Sequence, residues 1–354
     1  DRPHTGVLVA GPGGGLYKQA KSAKNYRFRT CPFLVRKISP LFDIPAFFWL
    51  FFYILSLKPA VIHTHSSKAG ILGRWAAYLA GNSKIIHTFH GFGFTPLQPA
   101  LVRKIFILAE KFTAKVSDRL VTVAYANIDK ALSEGIGKPE KYRVIRSGID
   151  PEKFEKKWKI DTIKQELNLK ESDKLIGNIS CFKPQKGLFD YLEVCHILSR
   201  SRPDCYFLIA GDGALRPALE KKISQYRLDD RIFLLGWRRD VEKIMAGIDL
   251  LVHTAYFEGL PRVFLEAFAS GVPVVATKVD GAVDVIKEGE NGYMAPAGDT
   301  RKIAEYALRL LQKEELRKRL AENAKKLFKK EYDIKTMSEN LNKMYRELIK
   351  GEIK

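Results

Sequence analysis

Short apolar runs alternate with stretches of helical periodicity along most of the chain. In the first half the runs are Gly6–Ala10, Ala60–His65, Lys84–Thr88, Arg119–Val123 and Arg143–Ile145. In the second half they are Leu175–Ser180, Cys205–Ala210, Arg231–Leu235, Asp249–His253 and Val272–Ala276. Each is short, β-branched-rich and often apolar on both faces, as strands covered on both sides of a parallel sheet are. Helical patterns such as Gly187–Ser199 and Arg216–Tyr226 lie between them. A β-α-β-α rhythm that occurs twice predicts two doubly wound α/β halves. The chain breaks near Ser147-Gly148-Ile149-Asp150-Pro151, where a strand ends and Gly and Pro punctuate. Ligands of open α/β sheets sit outside the carboxyl ends of the strands, so two sheets facing each other predict a site in the cleft between them. The expected division is residues 1–149, residues 150–330 and a helical tail, 331–354, at the end of a charged helical stretch from about Lys302.

Length and composition agree with this picture. Two domains are the natural division of 354 residues, and 46% hydrophobic residues suffice for ordinary cores. Cys31, Cys181, Cys195 and Cys205 form no C-x-x-C pair and read as reduced packing residues. The net charge of +20 is unevenly spread. Residues 1–150 hold 22 Lys and Arg against 8 Asp and Glu, and no acidic residue occurs between Asp43 and Glu110. A one-sided basic half predicts an anionic partner: lipid, nucleic acid or a phosphorylated substrate.

The segment richest in chemistry is Glu258-Gly259-Leu260-Pro261-Arg262-Val263-Phe264-Leu265-Glu266. Pro261 suits the first turn of a helix and Gly271 its C-terminal cap. Glu258 then lies just outside a helix N-terminus and Glu266 one to two turns inside. Free amides at such a terminus bind phosphate, and carboxylates accept hydrogen bonds from sugar hydroxyls. Two glutamates eight apart are common by themselves. The Gly-Leu-Pro insert and the following Gly271-Val-Pro-Val-Val strand make the pattern specific.

This pattern resembles the donor site of glycosyltransferase family four, which has the GT-B fold. The resemblance runs over nearly the whole chain. Val279-Asp280-Gly281 through Gly289-Glu290-Asn291-Gly292 is similar to the loop and turn that follow in the family. Gly211-Asp212-Gly213 and Leu235-Gly236-Trp237, with Arg238 after it, resemble its nucleotide-side segments. Pro184-Gln185-Lys186-Gly187 resembles its diphosphate-binding lysine loop, and Val144 to Asp150 its interdomain hinge, with Ser147 where Asn is usual. The resemblance implies a retaining, metal-independent transfer of a hexosyl or N-acetylhexosaminyl group, with a UDP- or GDP-sugar as co-substrate and no resident cofactor. It implies that Glu258 touches the donor sugar and Glu266 the ribose, with Gly259, Leu260, Pro261 and Lys186 around the diphosphate. Cys181 stands where the family commonly has an Arg; a thiol cannot neutralise a diphosphate as an Arg fork does, and Lys183 is the candidate substitute.

Two histidine clusters, His63-Thr64-His65-Ser66-Ser67-Lys68 and His87-Thr88-Phe89-His90-Gly91, fall at carboxyl ends of expected strands. His-x-His invites a zinc reading, but no third ligand has suitable spacing, and no metal is expected. The His90-Gly91 step resembles the family position that faces the donor sugar, which would leave His65, Ser66 and Lys68 toward the acceptor. Gly11-Pro12-Gly13-Gly14-Gly15 lacks the Lys-Ser/Thr of a phosphate-binding P-loop and reads as a flexible connection. Residue 1 is Asp, and Gly6–Ala10 with its glycine-rich loop looks like the family's second strand. The expectation is therefore a chain without the first strand-helix unit, its first sheet carrying a gap or a displaced edge, and its donor site, residues 175–295, intact.

Residues Ile44–Leu57 are apolar all round but too few to span a bilayer, which takes about 20. Such a helix is buried or touches lipid, and burial against the sheet is the first expectation. The next helix, about Leu101–Val116, groups Lys104, Lys111 and Lys115 near one face, as interfacial basic helices do. Together with the acid-free stretch, peripheral contact with an anionic membrane is the more economical account, and it suits a lipid-linked saccharide acceptor at the inner, cytoplasmic face. No zinc finger, RNA-recognition signature or aromatic-interleaved basic strand supports nucleic-acid binding. A nucleotide-sugar epimerase of similar two-lobed fold and a donor-binding, poorly active transferase are the competing readings. The first makes no new glycosidic bond.

Overall fold

The computed structural model describes residues 6–81, 83–155 and 161–351. The chain divides into two compact units. The first comprises the described residues of 1–122, 128–144 and 343–354; the second those of 123–127 and 145–342. The last helix therefore contributes its final residues to the first unit.

The first unit contains β1 (Val7–Ala10), α1 (Tyr17–Ser22), β2 (Arg27–Thr30), α2 (Pro40–Leu57), β3 (Val61–His65), α3 (Ser67–Ala80), β4 (Lys84–Phe89), α4 (Ala100–Lys115), β5 (Arg119–Thr122), most of α5 (Tyr125–Ser133) and β6 (Tyr142–Val144). Strands β3 to β6 form a parallel sheet in chain order, while β1 and β2 pair in parallel as a separate ribbon. The apolar runs found these strands to within a residue or two, except β2. Its Arg-Phe-Arg-Thr sequence has no apolar run to read.

Helix α2 departs from the expectation of burial against the sheet. It is 18 residues long, longer than its apolar run, with Asp43 as its one charge. It spans about 27 Å at 1.5 Å per residue, and by length and composition it could cross a membrane. Only Ala46, Leu50 and Ile54 are buried, the last two in a small cluster with Ala76 and Ala77 of α3. Leu41, Phe42, Ile44, Phe48 and Phe52 face outward, Leu41 being 78% exposed. Helix α4 behaves alike: Leu101, Ile105, Leu108 and Phe112, at helical spacing, form an exposed apolar ridge beside Lys104 and Lys115.

A buried ion pair ties α3 to α4. The Arg74 guanidinium is 0% exposed and donates from Nη2 to Glu110 Oε2 at 2.7 Å and from Nε to the Gly70 carbonyl at 3.0 Å. It also lies over the Phe89 ring, 5.9 Å from its centre.

The second unit is built on a six-stranded parallel sheet. Its elements are α6 (Glu152–Glu155), α7 (Asp161–Glu166), β7 (Lys174–Ile179), α8 (Leu188–Ser201), β8 (Cys205–Ala210), α9 (Arg216–Gln225), β9 (Ile232–Gly236), α10 (Val241–Gly247), β10 (Leu250–His253), α11 (Arg262–Ser270), β11 (Val274–Thr277), α12 (Asp280–Val285), β12 (Gly292–Ala295), α13 (Thr300–Gln312), α14 (Glu314–Glu331) and most of α15 (Ile334–Lys350). The strand order is β12-β11-β10-β7-β8-β9. The chain runs one way from β7 to β9 and the other way from β10 to β12. Separate apolar cores lie on its two faces, which is why β10 and β11 are buried throughout. Strand β12 was not read from the sequence, being four residues behind a turn.

The Arg74–Glu110 pair yields a direct test. Removing one partner of a buried ion pair leaves an uncompensated charge and costs about 3–5 kcal/mol. Glu110→Ala should lower the urea-unfolding free energy by that amount, and Arg74→Met with Glu110→Leu should recover much of it. A single variant within about 1 kcal/mol of wild type would show the pair to be unimportant.

Candidate active site

In the second unit the strand order reverses between the neighbours β7 and β10. At such a switch point the following loops part, leaving a crevice at the carboxyl ends. The loop after β7 carries Cys181 to Gly187, and the loop after β10 carries Thr254 to Pro261. Backbone hydrogen bonds join these loops to their neighbours. Ser180 N–H donates to the Ala210 carbonyl (3.0 Å), Phe182 N–H to Asp212 (2.9 Å), Gly211 N–H to Gly236 (2.8 Å) and Tyr256 N–H to Gln185 (2.9 Å). Gly187 has φ +57°, and a Cβ there would stand 2.0 Å from the Thr254 carbonyl oxygen. A Cβ on Gly211 would meet the Ser180 carbonyl oxygen at the same distance. Only glycine permits these approaches.

Helix α11 starts at Arg262 with Pro261 as its N-cap and ends on Gly271 at φ +72°. Glu258 therefore sits just before the helix, as the sequence indicates. Its carboxylate reaches across the switch point to Lys186 Nζ, and its Oε1 lies 3.3 Å from His253 Nε2. Burial pushes its pKa up, but the His253 hydrogen bond, the charge of a protonated ring and the Lys186 ammonium outweigh this and bring it to about 2. Glu258 is thus ionised at neutral pH. Glu266 differs: burial raises its pKa, partly offset by Arg262, and Glu242 adds to the rise. No hydrogen bond or ion pair among the described residues ties its carboxylate down.

The remaining second-unit candidates divide. Gly211 and Gly213 lie where the loops after β7 and β8 touch, and a Cβ on Gly213 would meet the Phe182 carbonyl oxygen at 2.7 Å. Gly259 and Leu260 are buried at the entry to α11; the Asn127 amide donates to the Gly259 carbonyl at 3.0 Å. Lys183 is exposed, at the start of the turn that carries the half-buried Lys186. Trp237 is 69% exposed after β9. Arg238 beside it is already engaged: Nε and Nη2 each donate to Asp240 at 2.8 Å, and Nη2 reaches Glu166 Oε2 at 3.2 Å. Those hydrogen bonds raise its pKa, so the structure leaves Trp237 displayed and Arg238 paired.

In the first unit the histidines gather at the ends of β3 and β4. His65 Nδ1 and His90 Nε2 are 3.0 Å apart, and the rings of His63, His65 and His90 stack in a row. His63 bonds the Tyr345 hydroxyl of α15 through Nδ1 (2.6 Å) and Thr88 through Nε2 (2.7 Å). Desolvation in the stack lowers His65 to about 4, helped by the charge His90 can carry. Desolvation, then His65 and His90, lower His63 to about 3. Both rings are neutral at pH 7, so one proton serves the His65–His90 contact. Ser66 follows β3 at φ +62°, ψ 155°, a conformation that strains a side chain. Lys68 is drawn aside: its ammonium pairs with Asp43 and donates to the Lys37 carbonyl at 2.7 Å.

Sequence reasoning passed over His253 and Tyr345. His253 is a histidine at the carboxyl end of a buried strand, the same signal that singled out His65 and His90. Tyr345 carries no local signal, since its partner is 282 residues away. Among the described residues no three His, Cys, Asp or Glu side chains gather closely enough to hold a metal ion. All four cysteines are free thiols.

Comparison with known proteins places this geometry. Residues 2–153 match the family described as Glycosyltransferase Family 4, and residues 159–327 match Glycosyl transferases group 1. The chain is 32% identical over 272 residues to UDP-Gal:alpha-D-GlcNAc-diphosphoundecaprenol alpha-1,3-galactosyltransferase of Escherichia coli, covering 76% of this chain and 70% of that one. It is 29% identical to the N-acetyl-alpha-D-glucosaminyl L-malate synthase of Bacillus anthracis, over 73% of this chain and 67% of that one. In fold it is similar to Anabaena HepE in complex with UDP-glucose, with TM-score 0.82, 21% identity and coverage of 95% and 90% of the two chains. Sucrose-phosphate synthase of Thermosynechococcus elongatus gives TM-score 0.82 at 19% identity, over 92% and 84%. A reversed parallel sheet with a carboxylate–lysine pair at its switch point thus coincides with family matches to both parts of the sequence, and the chain belongs to glycosyltransferase family 4, with the GT-B fold.

Proposed function

We propose that this glycosyltransferase takes a nucleoside-diphosphate sugar, a UDP-sugar before a GDP-sugar, and moves its sugar with retention onto a lipid-linked saccharide. The observation that carries the donor site is the contact between Lys186 and Glu258 at the switch point of the second sheet. Lys186 and the Gly259 and Leu260 amides receive the diphosphate and stabilise the charge that develops as the sugar leaves. Glu258 accepts hydrogen bonds from sugar hydroxyls. Glu266, whose carboxylate is not committed elsewhere, takes the ribose. Gly211, Gly213 and the exposed Trp237 border the nucleotide. His90 keeps its proposed role toward the transferred sugar, with His65 and Ser66 toward the acceptor. A leaving phosphate oxygen takes the acceptor hydroxyl's proton, and the positive charge a metal would supply comes from Lys186 and backbone amides. The choice of UDP and of a lipid-linked acceptor is supported by the Escherichia coli relative, which uses UDP-Gal on a GlcNAc-diphosphoundecaprenol.

The membrane belongs to the same reading. The outward rows of α2 (Leu41, Ile44, Phe48, Phe52) and α4 (Leu101, Ile105, Leu108, Phe112) are large apolar side chains exposed on the surface of the unit. Lys104 and Lys115 border the second row. An apolar face flanked by lysines suits the boundary between acyl chains and anionic headgroups.

Three outcomes check this reading. Glu258→Gln should lower turnover by roughly ten- to a thousandfold, the scale of a lost transition-state contact, while Glu266→Gln should chiefly weaken nucleotide binding; wild-type turnover in both would sink the assignment. Lys186→Ala should weaken donor binding by about tenfold or more, as loss of a charge-assisted contact does. Lys183→Ala should weaken it comparably only if that lysine turns inward to replace the missing Arg. Finally, the protein should sediment with anionic vesicles at low salt and release partly as salt rises, because screening shortens the reach of the lysines. Absence from both anionic and neutral vesicles would remove the membrane contact.

A further inference from the structure

Amides that receive a diphosphate have to be held in one direction. Gly259 is the residue type least able to hold a direction by itself, because it lacks the Cβ that narrows the choice of φ and ψ. Gly259 and Leu260 are both buried. Among the described residues neither of their N–H groups donates a hydrogen bond. A buried main-chain donor calls for an acceptor, and these two stand open at the entry to α11.

The peptide between them is fixed from behind. The Asn127 side-chain amide, 0% exposed in the first turn of α5, donates to the Gly259 carbonyl at 3.0 Å. Gly281 of α12 abuts the same group: a Cβ there would stand 1.8 Å from the Gly259 carbonyl oxygen and 2.8 Å from the Leu260 Cα. Asp284 lies three residues further along α12, on nearly the same side of it. Its carboxylate accepts the main-chain N–H groups of Tyr125 and Ala126, the latter at 3.2 Å. Helix α12 thus backs the peptide directly and also grips the turn that brings Asn127 to it. Residues 123–127 and α12 lie in the same unit. Among the described residues no peptide bond is cis, and in a trans peptide the carbonyl and the following N–H point in opposite directions. Holding the Gly259 carbonyl on Asn127 therefore turns the Leu260 N–H the other way, away from α5 and α12.

Asn127 adds little to stability by lying there. Its Oδ1 is buried and has no hydrogen-bond partner. The reverse orientation of the amide would set that oxygen against the Gly259 carbonyl oxygen, so the contact with Gly259 alone decides how the side chain lies. An unpaired buried polar atom is costly, and an apolar side chain of similar shape would avoid the cost. What an apolar side chain could not supply is the hold on the carbonyl. We propose that Asn127 is a positioning residue for donor binding: it holds the Gly259–Leu260 peptide so that the Leu260 N–H meets a phosphate oxygen of the nucleoside diphosphate. The inference rests on the assignment of the donor's diphosphate to this loop. Asn127 acts through one peptide plane, and no covalent bond changes. A donor group aimed before the ligand arrives binds more tightly than one that has to be ordered on binding.

Two measurements test it, with UDP and GDP as the probes. Calorimetry compares the wild-type protein with Asn127→Leu, an apolar side chain of similar size. The variant should bind the preferred nucleotide about five- to fiftyfold more weakly, the scale of a hydrogen bond to a charged group, while its thermal midpoint stays within about 4 °C of wild type. The second measurement is nuclear magnetic resonance on protein isotopically labelled at glycine carbonyl carbons and leucine nitrogens. Only Gly-Leu steps then give linked amide signals, and the sequence has three, Gly15-Leu16, Gly187-Leu188 and Gly259-Leu260. The Leu260 signal is the one that a Leu260→Ile variant lacks. It should move downfield when nucleotide binds to the wild-type protein, and much less in Asn127→Leu. Asn127→Ala serves in both measurements if the leucine variant does not fold. Affinity of the folded variant within about twofold of wild type, a Leu260 signal that stays in place on binding, or equal movement in both proteins overturns the proposal. Each of those outcomes leaves the donor assignment of Lys186 standing, whereas absence of binding of both nucleotides by the wild-type protein removes that assignment and this inference with it.

Discussion

A carboxylate that water scarcely reaches needs a positive neighbour, and the second unit is arranged around that need. Glu258 leaves β10 on one side of the switch point, and Lys186 leaves β7 on the other. Their meeting depends on the reversal of strand order, since only there do loops from adjacent strands diverge enough to leave a crevice yet stay close enough to pair across it. The glycines at 187 and 211 let the backbones approach, and the interloop hydrogen bonds hold them there. The charge pair, the crevice and the topology are therefore one arrangement seen at three scales.

The first unit meets a different demand with different means. His63 and His65 are stacked and desolvated, so they are neutral at pH 7 and serve as hydrogen-bonding surfaces instead of fixed charges. The row is anchored from behind by Tyr345 and Thr88. One layer away, Arg74 and Glu110 lock α3 to α4, and α3 in turn supports the packed face of α2. A helix held so on one side can leave large apolar residues uncovered on the other without losing its place.

How much of this was legible in the sequence depended on how far apart the interacting residues lie. Parallel strands betray themselves by apolar runs, and ten of the twelve among the described residues were read that way; β2 carries no such run, and the short Tyr293-Met294-Ala295 run of β12 follows directly on a turn. The cap glycine at 271 and the proline at 261 act within one turn, so α11 was legible as well. Long-range pairings were not. Nothing near Arg238 says that Glu166 occupies it, and nothing near Lys68 says that Asp43 does. For α2 the composition announced an apolar helix on all sides, but the covered side is decided by α3, which periodicity cannot see.

The interloop hydrogen bonds have a further consequence for how such a site changes over time. The loops after β7, β8, β9 and β10 are held to each other chiefly through main-chain groups and three or four glycines. The side chains at 181, 183, 185 and 237 hang from a frame that does not need them. Exchanging those residues alters what the crevice recognises while its supports stay in place. Such a frame lets specificity drift by single substitutions, and the changes that would break the frame itself are confined to the few positions where a Cβ would strike a carbonyl.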